Sequence, residues 1–128
     1  MRVFKTKSFM RFARRERIAD RSLCEAVERA DRGSIDADLG GGVIKQRVAR
    51  PGQGRSGGFR VLIAYRAKAR AVFVFGFAKS ERENIDKDEL ETLKELAKGF
   101  LTADDAALAR ASEQGFIQEV EYGEKDKK

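Results

Sequence analysis

Hydrophobic and polar positions along this chain follow two rhythms, one of about 3.6 residues near its ends and one of about 2 residues in the middle. RVFK at residues 2–5 alternates and predicts a short strand. From Lys7 the apolar residues Phe9, Phe12, Ala13 and Ile18 recur at helical spacing, with Arg11, Arg14, Arg15 and Arg17 on the remaining surface. That is an amphipathic helix whose arginines are read as a solvated face. A second helix is expected from Ser22, which forms a capping-box pattern with Glu25. Leu23, Ala26, Val27 and Ala30 make its buried stripe, and Gly33 is its stop. Cys24 falls inside it as a small hydrophobe.

A loop ending in Gly40, Gly41 and Gly42 leads into the middle of the chain, where the period changes to 2. VIKQRVAR (Val43–Arg50) reads as a strand with Lys45 and Arg47 on one face. The loop PGQGRSGG at residues 51–58 joins it to FRVLIAYR at residues 59–66. There Phe59, Val61, Ile63 and Tyr65 share one face, with Arg60, Leu62, Ala64 and Arg66 on the other. After a short AKA turn, the run at residues 70–79 is apolar enough for a central strand buried on both faces. Hairpin-length links imply an antiparallel meander.

The helical rhythm then returns. Asp86 and Glu89 make a capping-box start, and Leu90, Leu93, Ala97 and Leu101 form the face that closes over the sheet. A further short helix is expected over residues 103–112, introduced by Thr102 and stopped near Gly115. FIQEVEY at residues 116–122 alternates as an edge strand or docking segment. Residues 1–122 are thus expected to form a single α+β domain. Its small antiparallel sheet, a three-stranded meander plus the N-terminal strand, is packed by two N-terminal helices and a C-terminal helix, and residues 123–128 are read as a disordered charged tail.

Charge sharpens this picture. The chain has 128 residues and a formal net charge of +6, but residues 1–70 hold 18 Lys/Arg against 7 Asp/Glu and the remainder 9 against 14. Residues 39–80 contain no Asp or Glu and nine cations. A polyanion, and nucleic acid first, is the partner such a segment suits. One cysteine excludes an internal disulfide, and the lack of histidine removes the imidazole base and the usual zinc site. The start of the chain lacks the apolar core of a signal peptide and no run is long enough to span a bilayer, so a cytoplasmic location is expected. Gly52, Gly54 and Gly57 match the GxGxxG spacing of dinucleotide sites, but they lie between strands and not at a strand-to-helix turn.

The order of elements, with the string GGVIKQRVARPGQGRSGGFRVLIAYR and, after it, AVFVFGFAKSERENI, resembles the RelE/ParE superfamily of bacterial type II toxins, especially the RelE-like branch. The resemblance covers roughly residues 1–100 in layout and is sharpest over 41–85. It implies a toxin that cleaves mRNA on the ribosome without a metal or other cofactor and inhibits translation until a cognate antitoxin neutralises it. An antitoxin of helix-turn-helix type is expected, with operator DNA reached only through the complex and no role for a membrane. By resemblance the catalytic set is Arg60, Lys45, Arg47, Lys79 and Arg82; Arg50, Arg55, Arg66 and Ser80 are read beside it as further RNA-binding positions.

Metal-free cleavage requires activation of a ribose 2′-OH, stabilisation of the charge that develops on the attacked phosphate, and protonation of the leaving 5′ oxygen. Arg60 suits charge stabilisation because its fork can grip two phosphate oxygens. Lys45, Arg47 and Lys79 suit orientation of the backbone, with a lysine as the candidate base. The chain departs from the RelE pattern at Ser80 and Asp86, where an Arg and a Tyr are expected. Two other readings stay open: a ParE-like gyrase poison, disfavoured by retention of Lys45, Arg47 and Arg60, and an RNA-binding or regulatory module that performs no cleavage.

Overall fold

Six strands form a mixed sheet in the order β2-β3-β4-β5-β1-β6 in the computed structural model, which describes residues 1–50 and 54–123, with residues 54–56 described by backbone only. The strands are β1 (Arg2–Thr6), β2 (Ala37–Gly40), β3 (Val43–Arg50), β4 (Gly54–Arg66), β5 (Arg70–Ala78) and β6 (Ile117–Val120). The helices are α1 (Lys7–Glu16), α2 (Asp20–Asp31), α3 (Lys87–Thr102) and α4 (Asp105–Glu113). The α+β class and the β3–β4–β5 meander are as expected.

The sheet exceeds the expectation at both ends. A loop was expected where β2 pairs with β3, and its four residues are too few for alternation to stand out. Gly41 and Gly42, with φ of 62° and 84°, make the two-residue turn between them, a conformation that suits glycine. β1 pairs with β5 in parallel, so the sheet is not purely antiparallel. β6 closes the far edge against β1, in line with the edge-strand reading of its segment.

Alternation sorts the apolar residues into two layers. On one side Val61, Ile63 and Phe73 pack with Phe9, Phe12, Leu23 and Val27 of α1 and α2. On the other, Val43, Leu62, Ala64, Val72 and Phe77 pack with Leu93 and Ala97 of α3 and Leu108 of α4. β5 lies between β4 and β1, and its residues Ala71 to Val74 are buried on both faces.

Three local expectations are corrected. Ser22 does not start α2, because the helix begins at Asp20 with Ala19 as N-cap and no side-chain cap, so the Ser22/Glu25 pattern lies within the helix. β4 begins at Gly54, so much of the supposed glycine loop is strand, while Pro51 and Gly52 lie outside the described residues. Gly58 shows why glycine is needed in that strand: a Cβ there would come within 2.3 Å of the Val48 carbonyl oxygen, beside the irregularity in the β3–β4 pairing. Thr102 ends α3 and does not introduce the next helix; its hydroxyl donates to the Lys98 carbonyl, and Asp104 caps α4. The Asp86/Glu89 capping box of α3 forms as expected. Residues 124–128 of the expected tail lie outside the described residues.

Candidate nucleic-acid interface

The antiparallel register of β3 and β4 sets Arg47 directly opposite Arg60, and Lys45 opposite Leu62. Alternation therefore brings Lys45, Arg47 and Arg60 to the α3 side of the sheet, the side of Val43 and Leu62. These apolar positions are covered, whereas Arg47 is exposed and Lys45 and Arg60 are half-buried. Like charges directly opposite in an antiparallel pair repel one another. Burial first, and then the charge of Arg47, push the Arg60 guanidinium below its ordinary pKa, while Asp36 and Glu83 act in the opposite direction. Such a pair is relieved by an arriving anion.

The two carboxylates that act on Arg60 come from outside the acid-free segment. Asp36, ahead of β2, accepts the Arg47 backbone N–H at 2.7 Å and lies 3.4 Å from Arg29 Nη1. Arg29 also donates to the Arg47 carbonyl. Asp36 is itself anchored by Gln46, a fully buried side chain on the opposite face of β3. Gln46 Oε1 accepts from Asp36 N at 2.7 Å, and its Nε2 donates to the carbonyls of Ala26 at 2.9 Å and Ser34 at 3.2 Å. Strand alternation could have found Gln46, since it sits between inward-facing Ile44 and Val48. Nothing in the sequence connects Asp36 with Arg47.

The other predicted residues divide into two groups. Lys79 stands one residue past the last β4–β5 pair, its N–H donating to the Gly58 carbonyl at 3.0 Å, and Ser80 follows it exposed in the turn. Arg82 lies over the rings of Phe75 and Phe77, 5.9 and 5.5 Å from their centroids. Phe77 is the β5 partner of Arg60, so Arg82 belongs to the same region. Its Nη2 and Nη1 donate to Glu89 at 2.6 and 3.3 Å, which holds the Glu89 carboxyl below the usual carboxylate range. Lys45 Nζ donates to the Asn84 side chain at 3.2 Å, joining β3 to the turn before α3.

Arg50 and Arg66 are placed elsewhere. Arg50 is on the α1 side, 4.9 Å over the Phe59 ring and 3.4 Å from Glu16. Arg66 is six residues along β4 from Arg60, about 20 Å away in an extended strand, and donates to the Leu101 carbonyl at the end of α3. The side chain of Arg55 lies outside the described residues. Tyr65 is half-buried on the face opposite Arg60, its hydroxyl donating to Asp31, so its core placement is as expected.

Among the described residues no helix is long and apolar enough to cross a membrane. No curated protein and no solved structure gives a significant match to the chain. A family model, described as the RelE toxin of the RelE/RelB toxin–antitoxin system, matches residues 1–120. With nearly its whole length covered, the chain belongs to the RelE toxin family.

Proposed function

We propose that this toxin inhibits translation as a ribosome-dependent, metal-independent endoribonuclease acting in the cytoplasm. The observation that carries the reading is the Arg47–Arg60 pair, two cations held in register with Lys45 on the same face. In the reaction the 2′ oxygen forms a bond to phosphorus, the bond from phosphorus to the 5′ oxygen breaks, the 2′ proton departs and the 5′ oxygen gains one. Arg60 offers a fork of donors where negative charge accumulates, and its partial desolvation strengthens that interaction. Lys45, Arg47 and Lys79 fix the position of the backbone. Membership of a toxin–antitoxin family implies an antitoxin, and a helix-turn-helix antitoxin that carries the complex to its operator completes the proposal.

A second reading, RNA binding without cleavage, is favoured by Asp86. It stands where the RelE pattern has a tyrosine, and its carboxylate is engaged in accepting the Glu89 N–H at 2.8 Å as the cap of α3. Inducible expression in bacteria distinguishes the two. Wild type is expected to arrest growth and cut transcripts, and Arg60→Ala to do neither. Arrest by the wild type with intact transcripts refutes the nuclease reading. Co-expression with the adjacent reading frame is expected to relieve arrest and yield a stable complex.

A further inference from the structure

Arg82 is placed by sequence among the reacting cations, but its surroundings suit a different task. Three of its N–H groups are directed within the guanidinium plane, Nε to the Asn84 carbonyl at 2.9 Å and Nη1 and Nη2 to Glu89. Few of its five donors remain for a phosphate. Phe75 and Phe77 lie against the group, and the side chain remains 34% exposed. A planar cation lying on aromatic rings with part of its surface open is one on which a nucleobase stacks. Its location fits that use. Phe77 is the cross-strand partner of Arg60, and Asn84, whose carbonyl accepts from Arg82, accepts from Lys45 through its side chain. The platform therefore adjoins the cation pair without being part of it.

We propose that Arg82 is a base-stacking platform: its guanidinium, lying over Phe75 and Phe77 and locked by Glu89, receives a nucleobase of the single-stranded RNA whose phosphates lie on Arg47 and Arg60. The proposal rests on the RNA-binding reading above and assigns Glu89 the part of a positioning residue. Lysine at position 82 keeps the charge and loses the plane.

The test compares binding of a short single-stranded RNA with that of an abasic oligonucleotide of equal length and charge, by fluorescence anisotropy on the full chain. Thermal melts confirm that each variant is folded. Wild type is expected to prefer the intact RNA by about fivefold or more, the low end of what one stacked base contributes. Arg82→Lys is expected to lose this preference while binding the abasic strand within about twofold of wild type, because the charge is retained. Glu89→Gln, which keeps an acceptor for the Asp86 N–H but loosens the hold on Arg82, is expected to reduce the preference as well. An equal loss of affinity for both strands in Arg82→Lys would make Arg82 a phosphate ligand and overturn the proposal. If wild type binds both strands equally and Arg60→Ala weakens both, RNA binding stands and the platform falls. If wild type binds neither strand, the platform falls, whereas the ribosome-dependent reading stands or falls on transcript cleavage in the expression experiment.

Discussion

Replacing Gln46 with leucine tests the link between the core and the cation face. The side chain is fully buried and makes three hydrogen bonds, to Asp36 N at 2.7 Å, Ala26 O at 2.9 Å and Ser34 O at 3.2 Å. Leucine has similar bulk, so little cavity forms and the loss is polar. An orphaned Asp36 N–H costs about 1–3 kcal/mol, and two carbonyls deprived of a donor about 1 kcal/mol together, as Ala26 O is an interior helix acceptor in any case. The added apolar burial offsets about 1 kcal/mol, leaving a net destabilisation of about 2 kcal/mol. At about 2.1 cal/mol/K per residue, a chain of 128 residues should lose about 7 °C in Tm. Asp36 should also lose its fixed position against the Arg47 N–H, so RNA affinity should change with stability.

The assay is thermal denaturation followed by circular dichroism, with Gln46→Glu in parallel. A buried carboxylate facing two carbonyls has a raised folded-state pKa. The penalty in Gln46→Glu is therefore absent below the unfolded-state value of about 4 and grows as pH rises through the folded value. A Gln46→Leu protein melting with wild type, or a Gln46→Glu protein whose stability relative to wild type is flat from acid to neutral pH, would refute the reasoning.

Other consequences can be measured separately. Gly58→Ala places a Cβ 2.3 Å from Val48 O and 2.8 Å from Arg50 N, both backbone atoms that cannot rotate away, and should destabilise by about 2 kcal/mol or more in chemical denaturation. Arg70 Nη1 donates to Phe100 O at 2.7 Å and Ala103 O at 2.8 Å, at the end of a helix with no basic residue in its last turn. Arg70→Ala should cost about 1.5–3 kcal/mol and speed amide exchange in the last turn of α3. Arg66→Gln should leave RNA affinity unchanged, since Arg66 serves the same helix end; a reduced salt slope of binding would contradict this. Burial and the nearby carboxylates push Tyr122 up to about 12, and burial with the Asp31 bond pushes Tyr65 higher. Stability from these groups is complete below the unfolded value of about 10 and is lost as pH rises through the folded values. The chain has only two tyrosines, so ultraviolet titration reads them directly, and ionisation of both near pH 10 in the folded protein would contradict the burial argument.

How much could be read in advance follows from which forces are local. β3 has the bounds that alternation indicated, because glycines precede it and proline follows it. The faces taken by Arg60 and Tyr65 and the Asp86/Glu89 cap were legible for the same reason, since period and capping depend on residues only a few positions apart. The parallel pairing of β1 with β5 joins segments nearly seventy residues apart, and no local pattern encodes it. Arg66 and Arg60 look alike in the sequence, on one face of one strand, yet α3 covers the end near Arg66 and leaves Arg60 facing Arg47.

The acid-free segment alone determined that a row of cations would lie on strands, and on which faces, because side-chain direction follows strand period. Only the tertiary structure decided which of those cations meet. It brought Asp36 and Glu83 in from either side to temper Arg60, spent Arg50 on Glu16 and Arg66 on a helix end, and laid Arg82 across two phenylalanines. Charge partners are chosen by register and packing between distant segments, and that information appears only when the sheet is assembled.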